Sequence, residues 1–268
     1  MLTREAAVAG QFYPGDPGEL RRTVESFFEK PGPSFEAKGV LVPHAGYIYS
    51  GMVAGKVFSS IRLPGRFIIL GPNHSGRGAA LALAPAGSWR TPLGAAGIDA
   101  EMNRDLLDAC PELQEDPAAH RNEHCLEVQI PFLQVLQPGF SFSAICVRTA
   151  DYHALEALGH AMGKVIRSLR EPVLLVASSD MTHYEDAETA ASQDRLAIDQ
   201  VLALDPAGLY RTVLENEITM CGFAPAVAVL VACADLGASS GRLIQYTNSG
   251  EASGDYDRVV AYAGLVIS

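Results

Sequence analysis

Short runs of apolar residues, each bounded by glycine, proline or polar residues, recur along the chain and predict buried strands. These runs lie at 40–42, 67–70, 79–84, 140–147, 173–177, 243–247 and 259–267. A continuous apolar run, such as 67–70 or 173–177, is typical of a strand buried on both faces of a parallel sheet, whereas 140–147 shows the alternation of a strand.

Segments with apolar residues at three- and four-residue spacing separate those runs and predict helices. We expect helices at about 17–28, 51–61, 99–109, 123–136, 155–169, 187–204 and 206–215, and a last one that Cys221 opens. Pro131 lies inside 123–136, so we expect a bend or break there. Strands alternating with helices favour a single α/β domain over residues 1–268, with a mainly parallel central sheet flanked by helices on both faces.

The composition argues against some classes of binding partner. The 20 Lys and Arg residues against 31 Asp and Glu residues give a net charge of -11, which would repel nucleic acid and anionic lipid. The longest uncharged apolar stretch, 224–234, is too short to span a bilayer, and the first residues lack a signal-peptide pattern. We therefore expect a soluble cytoplasmic protein that binds neither nucleic acid nor membrane.

Histidine and aspartate side chains follow three of the predicted strands. His44 follows the first strand, His74 follows the second, and Asp180 and His183 follow the run at 173–177. Because ligands in open α/β sheets bind outside the carboxyl ends of the strands, we expect these residues to share one site. Asp180 and His183 could face one side of a helical turn; alternatively, Asp180 is a helix N-cap and His183 an ordinary first-turn residue.

Cys221 and His124 are the other candidates. Cys221 precedes an apolar helix, whose positive N-terminal dipole would lower the thiol pKa and favour the thiolate. His124 lies three residues before Glu127 on a predicted helix, close enough for Glu127 to orient the imidazole. The other cysteines are widely and irregularly spaced, and we expect Cys110, Cys146 and Cys233 to be small buried hydrophobic residues.

These residue types are those of a metal or redox site. Two histidines could combine with one anionic ligand, either Asp180 or Cys221. Two histidines and a carboxylate form the facial arrangement of non-haem Fe(II) oxygenases, whereas a thiolate would shift preference towards softer or redox-active metals, copper included. The chain lacks His-Glu-x-x-His, P-loop and Gly-x-Ser-x-Gly motifs, so zinc-protease, nucleotide and serine-hydrolase functions lose support.

Six motifs are spread over nearly the whole chain, and together they resemble the MEMO family, called AmmeMemoRadiSam system protein B in prokaryotes. The motifs are Ala9-Gly10-Gln11-Phe12-Tyr13-Pro14, Val42-Pro43-His44-Ala45-Gly46-Tyr47, Gly71-Pro72-Asn73-His74, Glu123-His124-Cys125-Leu126-Glu127-Val128-Gln129-Ile130-Pro131-Phe132-Leu133, Ser178-Ser179-Asp180-Met181-Thr182-His183 and Met220-Cys221-Gly222.

This resemblance implies a fold similar to that of class III extradiol dioxygenases of the protocatechuate type, with three metal ligands and three further pocket residues. The implied ligands are His44, His74 and Cys221, and the implied pocket residues are Asp180, His183 and His124. In the dioxygenases the third ligand is a glutamate, and a thiolate in its place is itself prone to oxidation. The family name reflects association with a radical-SAM protein and an AMMECR-type protein, and animal members are known for binding iron or copper and for recognising phosphotyrosine peptides.

We therefore expect a non-haem iron-binding redox protein, a dioxygenase-like oxidoreductase acting on a small molecule. Fe(II) is the expected cofactor, with copper as the other candidate. His183 would act as the acid-base group, with His124 and Asp180 as orienting groups.

Two alternatives stay open. One is a non-catalytic adaptor that binds a peptide or protein partner through the same metal-containing pocket; by resemblance alone, a radical-SAM protein and an AMMECR-type protein are the candidate partners. The other is metal-assisted hydrolysis, which needs an open metal position and water but no redox change.

Overall fold

The computed structural model describes residues 2–28 and 35–268. Its strands are β1 (Leu2–Arg4), β2 (Gly39–Val42), β3 (Arg66–Pro72), β4 (Leu81–Leu83), β5 (Gly87–Thr91), β6 (Gly94–Ile98), β7 (Leu113–Glu115), β8 (Ser141–Val147), β9 (Val173–Ser178), β10 (His183–Glu185), β11 (Gly241–Asn248) and β12 (Val259–Ile267). Its helices are α1 (Pro17–Ser26), α2 (Tyr47–Ser60), α3 (Ala100–Ala109), α4 (Pro117–His120), α5 (Ile130–Leu136), α6 (Tyr152–Ser168), α7 (Ala187–Leu202), α8 (Pro206–Glu215), α9 (Phe223–Asp235) and α10 (Gly250–Ser253), with a 3₁₀ turn at Glu127–Gln129.

The strands of the described residues form one sheet with a parallel centre. The main order is β1-β5-β6-β8-β3-β9-β2-β12-β10, with β11 beside β12, and β4 between β7 and β8. Strands β6, β8, β3, β9 and β2 run parallel, and β12 is antiparallel to β2. The predicted α/β fold with a mainly parallel sheet is confirmed.

Side chains of the central strands alternate between two buried faces. Ile68 and Leu70 of β3 belong to a core that includes residues of α6 and α9. Phe67 and Ile69 of the same strand point the other way, into a core with residues of α1, α2 and α5. Because both faces are covered, the strand needs an apolar residue at every position. Each such fully buried side chain contributes about 1.5–3 kcal/mol to folding.

Helix starts follow capping chemistry. Six helices of the described residues begin after an aspartate whose side chain accepts a backbone N–H of the first turn: Asp16, Asp99, Asp116, Asp151, Asp186 and Asp205. Most predicted helices are confirmed with small shifts at their ends, and the largest shift is at α2, which begins at Tyr47 rather than residue 51. None of the helices in the described part of the chain is long and apolar enough to cross a bilayer.

Two local predictions are wrong. The segment 123–136 is not one helix, since residues 123–126 are irregular and α5 begins only at Ile130. The Glu123 carboxylate accepts the backbone N–H groups of the next two residues, which competes with helix formation there. The expected break at Pro131 is present, because this proline lies in the first turn of α5. Residues 180–183 form no helical turn, because the Thr182 N–H bonds to Asp194 and His183 pairs with Val260 of β12. Asp180 therefore caps no helix.

The strands absent from the prediction are short or poor in apolar residues. β1, β7 and β10 have three residues each. β5 and β6 carry glycine and polar residues and have exposed positions. Such strands lack the apolar run that marks a central strand, and only pairing with a neighbour reveals them.

Candidate metal centre

The carboxyl ends of β2, β3 and β9 bring the predicted residues together. His44 lies two residues beyond β2, His74 two residues beyond β3, and Asp180 two residues beyond β9. Cys221 approaches from another part of the chain, just before α9. Gly222 makes this approach possible, because a Cβ there would collide with the Ser178 carbonyl oxygen and the Ser179 side chain.

His44, His74 and Cys221 form a cluster with the spacing of metal ligands. One ligand atom from each lies within 4.8 Å of the others. The Cys221 Sγ is 3.3 Å from Nε2 of His44, and the His44 and His74 rings are 5.1 Å apart between centroids. His44 is buried at 2% exposure, whereas His74 lies at the surface of the cluster. The arrangement is a three-donor set that is open on the His74 side.

The hydrogen bonds of Ser178 assign the tautomer of His44. The Ser178 hydroxyl donates to the Cys125 carbonyl oxygen at 2.7 Å. Its oxygen therefore acts as an acceptor towards Nδ1 of His44 at 3.0 Å. Gln129 occupies another side of the same hydroxyl, donating from Nε2 at 3.0 Å. Nδ1 of His44 thus carries the proton, and Nε2 presents its lone pair to Cys221.

The Glu123 carboxylate assigns the tautomer of His74. Its carboxylate accepts the His74 backbone N–H at 2.7 Å through Oε2 and faces Nδ1 of His74 at 2.8 Å through Oε1. A carboxylate only accepts hydrogen bonds, so Nδ1 carries the proton and Nε2 is left as the donor atom for a metal. Burial acts to raise the pKa of Glu123, but the hydrogen bonds from His74 and from the Cys125 backbone N–H outweigh it and lower the pKa. Glu123 is therefore an anion.

His124 and His183 flank the cluster. The His124 ring stacks on His74, with centroids 4.5 Å apart, and its Nδ1 is 3.3 Å from Oε1 of Glu123. The His183 Nδ1 is 2.9 Å from the Thr219 carbonyl oxygen, which can only accept. No hydrogen bond from the described residues reaches Nε2 of either imidazole, so both could bind a ligand in the pocket.

Asp180 supports the cluster without joining it. Its Oδ1 accepts the backbone N–H of His44 at 2.7 Å, which holds the loop after β2. Burial raises the pKa of Asp180, opposed by the hydrogen bond from His44. The ligand-spaced group contains Cys221 and not Asp180. Of the two anionic ligands that residue chemistry left open, the geometry favours the thiol.

Burial controls the charge of the imidazoles. It lowers the pKa of His44 to about 3, with the neighbouring His74 adding to the effect. Burial and the neighbouring His44 lower the pKa of His124 to about 4. Both rings are consequently neutral near pH 7, which is the state that binds a metal.

Two predictions about individual groups are wrong. The helix dipole does not lower the pKa of Cys221; burial raises it, and the Asp180 charge adds to the rise. A coordinated metal would reverse this, because a ligating thiol is deprotonated. Glu127 does not orient His124, since its carboxylate binds Arg4, the N–H groups of Ala7 and Val8, and the Tyr13 hydroxyl.

Sequence reasoning also missed residues that shape the site. Glu123, Ser178 and Thr219 hold the imidazoles, and Phe12 packs against His124 with ring centroids 4.6 Å apart. Glu123 and Ser178 lie within motifs that were recognised, so their position beside a histidine or a strand end was the available signal. No sequence signal marked Thr219, because it holds His183 through its backbone carbonyl, a group that every residue has. The predictions that Cys110, Cys146 and Cys233 are buried are confirmed.

Comparison with known proteins places the chain in a family. The model of the family described as Memo-like protein matches residues 4–266. The MEMO1 family protein MK0963 of Methanopyrus kandleri is 42% identical, and a MEMO1 family protein of Aquifex aeolicus is 40% identical, each over 99% of both chains. The crystal structure of an uncharacterized protein, JW3007, from Escherichia coli K12 has a TM-score of 0.57 at 14% identity, covering 86% of this chain and 100% of that one, and is similar in fold alone. The chain belongs to the Memo-like protein family.

Proposed function

We propose that this protein binds a single non-haem iron through His44, His74 and Cys221 and uses it for redox chemistry on a small molecule. One observation carries the proposal: one donor atom from each of these residues lies within 4.8 Å of the others. The tautomers support it, because both histidines are protonated at Nδ1 and direct Nε2 into the cluster.

The donor set fits a transition metal. Neutral imidazole suits iron, copper and zinc, and a thiolate selects softer or redox-active ions. Three protein ligands leave coordination positions open, as catalytic rather than structural sites do. When bound, iron would supply redox chemistry and an open position for substrate. Iron rather than copper is proposed because of the motif resemblance to proteins related to extradiol dioxygenases.

The remaining pocket residues take defined roles. His183 is proposed as the acid-base group, since its Nδ1–H is held by the Thr219 carbonyl and its Nε2 can exchange a proton with substrate. His124 is proposed to orient substrate from the opposite side, with Phe12 covering part of its ring. Asp180 orients the backbone of His44. His183 and His124 would bind and position substrate and move its proton, while Asp180 holds the loop that carries His44.

The first test is the metal content of protein purified without oxygen, measured by mass spectrometry. We expect near-stoichiometric iron in the wild type and its loss in His44→Ala and Cys221→Ser. The matched control is His160→Ala, which removes a surface histidine paired with Asp235 and should retain the metal. Copper in place of iron would change the assigned metal but keep the assigned site. No metal in the wild type, even after reconstitution, would overturn the proposal.

A second test separates enzyme from adaptor. We expect metal-dependent oxygen uptake with a small-molecule substrate and its loss in His183→Ala with the metal retained. Unchanged turnover in that variant would remove the acid-base role. Activity restored equally by zinc would favour metal-assisted hydrolysis instead. Capture of a defined peptide or protein without oxygen consumption would favour the adaptor function.

A further inference from the structure

We infer that Glu123 is a positioning residue that holds His74 and His124 together with one carboxylate and limits this site to one metal ion. The inference rests on the proposed function, because it concerns how the same metal is held. Glu123 itself touches neither Cys221 nor His44 and belongs to no ligand set with them. Its effect is exerted through the two imidazoles.

Both oxygen atoms of the Glu123 carboxylate accept hydrogen bonds. Oε1 faces Nδ1 of His74 at 2.8 Å and Nδ1 of His124 at 3.3 Å, and it accepts the backbone N–H groups of His124 at 3.0 Å and Cys125 at 3.2 Å. Oε2 accepts the backbone N–H of His74 at 2.7 Å. The side chain has 0% exposure, so water does not compete for it. Four hydrogen-bond donors therefore surround two oxygen atoms, with Nδ1 of His124 close to Oε1 as well.

His74, Glu123 and His124 also have the spacing of a second metal site. Their hydrogen bonds oppose that function. Three of the donors to Glu123 are backbone N–H groups, which stay protonated and block its lone pairs. The Nδ1 of His74 hydrogen-bonds to the carboxylate and carries a proton, so it offers no lone pair to an ion beside Glu123. The cluster therefore orients the ligand His74 rather than binding a second ion.

The surroundings of Glu123 support the same conclusion. Among the described residues, the ring nitrogens of His74 and His124 lie 2.8 and 3.3 Å from its carboxylate. Arg4, the nearby cation, directs its guanidinium to the Glu123 backbone carbonyl and to the Glu127 carboxylate. The Glu123 carboxylate therefore faces the two imidazoles and not Arg4. A carboxylate behind a ligating imidazole raises its basicity and fixes its orientation.

The test compares Glu123→Gln with Glu127→Gln in titrations of the full chain with Fe²⁺ and with Co²⁺ as a spectroscopic probe. Both variants replace a buried carboxylate in the same segment, but Glu127 ties down the N-terminal residues and touches no histidine of the site. We expect E123Q to weaken metal affinity about 10–100-fold. We expect E127Q to lower the thermal midpoint with affinity changed much less. Equal loss of affinity in both would indicate a merely structural role and overturn the inference.

Histidine nitrogen NMR on the wild type supplies a readout that does not depend on a variant folding. We expect His74 to be protonated at Nδ1, and E123Q to shift it towards a mixture of tautomers. Protonation of His74 at Nε2 in the wild type would overturn the inference, as would two metal ions per chain. If the wild type binds metal and E123Q binds it equally well, this inference fails alone; if the wild type binds none, the proposed function fails.

Discussion

At the scale of residues, the site depends on groups that accept hydrogen bonds behind the imidazoles. Ser178, Glu123 and the Thr219 carbonyl each fix an Nδ1 proton, and each leaves an Nε2 lone pair in the pocket. A second Cys–His contact belongs to no ligand-spaced group of the described residues. Cys146 lies 3.4 Å from Nδ1 of His120, but the thiol is fully buried in the core, and burial lowers the pKa of His120 to about 4.

Ser178→Ala should weaken metal binding because it removes the acceptor that holds Nδ1 of His44. We expect the metal dissociation constant to rise by about 10-fold or more, measured by competition with a chelator. The control is Ser143→Ala, a second fully buried serine of the sheet, whose hydroxyl bonds to Asn103 away from the site. S143A should lose stability without losing affinity. Equal affinity in S178A and the wild type would show that Ser178 does not hold His44.

At the scale of elements, the sheet edge opposite the site is held by charge as well as packing. Arg66 at the start of β3 makes two hydrogen bonds to Asp99, at 2.7 and 2.9 Å, and Asp99 caps α3 at the Met102 N–H. The Ser141 hydroxyl of β8 donates to the same carboxylate at 3.0 Å. One aspartate thus joins two strands and a helix.

Asp99→Asn should reduce stability at neutral pH and remove part of its acid dependence. Burial acts to raise the pKa of Asp99, but the hydrogen bond from Arg66 outweighs it and holds the pKa below its usual value of 3.8. A lowered folded-state pKa stabilises the protein above the unfolded-state value, and this stabilisation is lost as pH falls through the folded-state pKa. We expect a difference in unfolding free energy of about 1 kcal/mol at neutral pH that shrinks in acid.

Urea denaturation of the wild type and Asp99→Asn at several pH values measures this difference. Asp16→Asn is the control, since Asp16 caps α1 at an exposed position. A pH-independent gap between wild type and D99N would contradict the assigned role of the ion pair.

At the scale of the whole molecule, the site joins parts of the chain that are distant in sequence. His44 and Cys221 are 177 positions apart, and their side chains meet at 3.3 Å. A bound ion would therefore cross-link the carboxyl ends of β2 and β3 to the segment before α9. Such a ligand binds the folded state and not the unfolded chain, so binding and folding stability are linked.

Metal addition should raise the thermal unfolding midpoint of the wild type. At a free metal concentration of 100 times the dissociation constant, the expected stabilisation is about 2.7 kcal/mol. Cys221→Ser should show little of this shift, because it lacks the thiolate ligand. Calorimetry of both proteins with and without Fe²⁺, in the absence of oxygen, measures the effect. A similar shift in both would place the binding site elsewhere.

The sequence by itself determined the α/β class, most helices and central strands, and the positions of the candidate ligands at strand ends. These features are local. An apolar run, a helical spacing or an aspartate before a first turn can be read from a few consecutive residues. Asp205 before α8 and the run 173–177 are examples, and both match the structure.

Only the tertiary structure decided which neighbours each group has. In the folded chain, Cys221 rather than Asp180 is the third member of the cluster. Glu123 rather than Glu127 contacts the imidazoles. The tertiary structure also kept residues 180–183 extended, through a bond from Thr182 to Asp194. Hydrogen bonds and burial between segments far apart in the chain set these outcomes, and no spacing along the sequence encodes such distances.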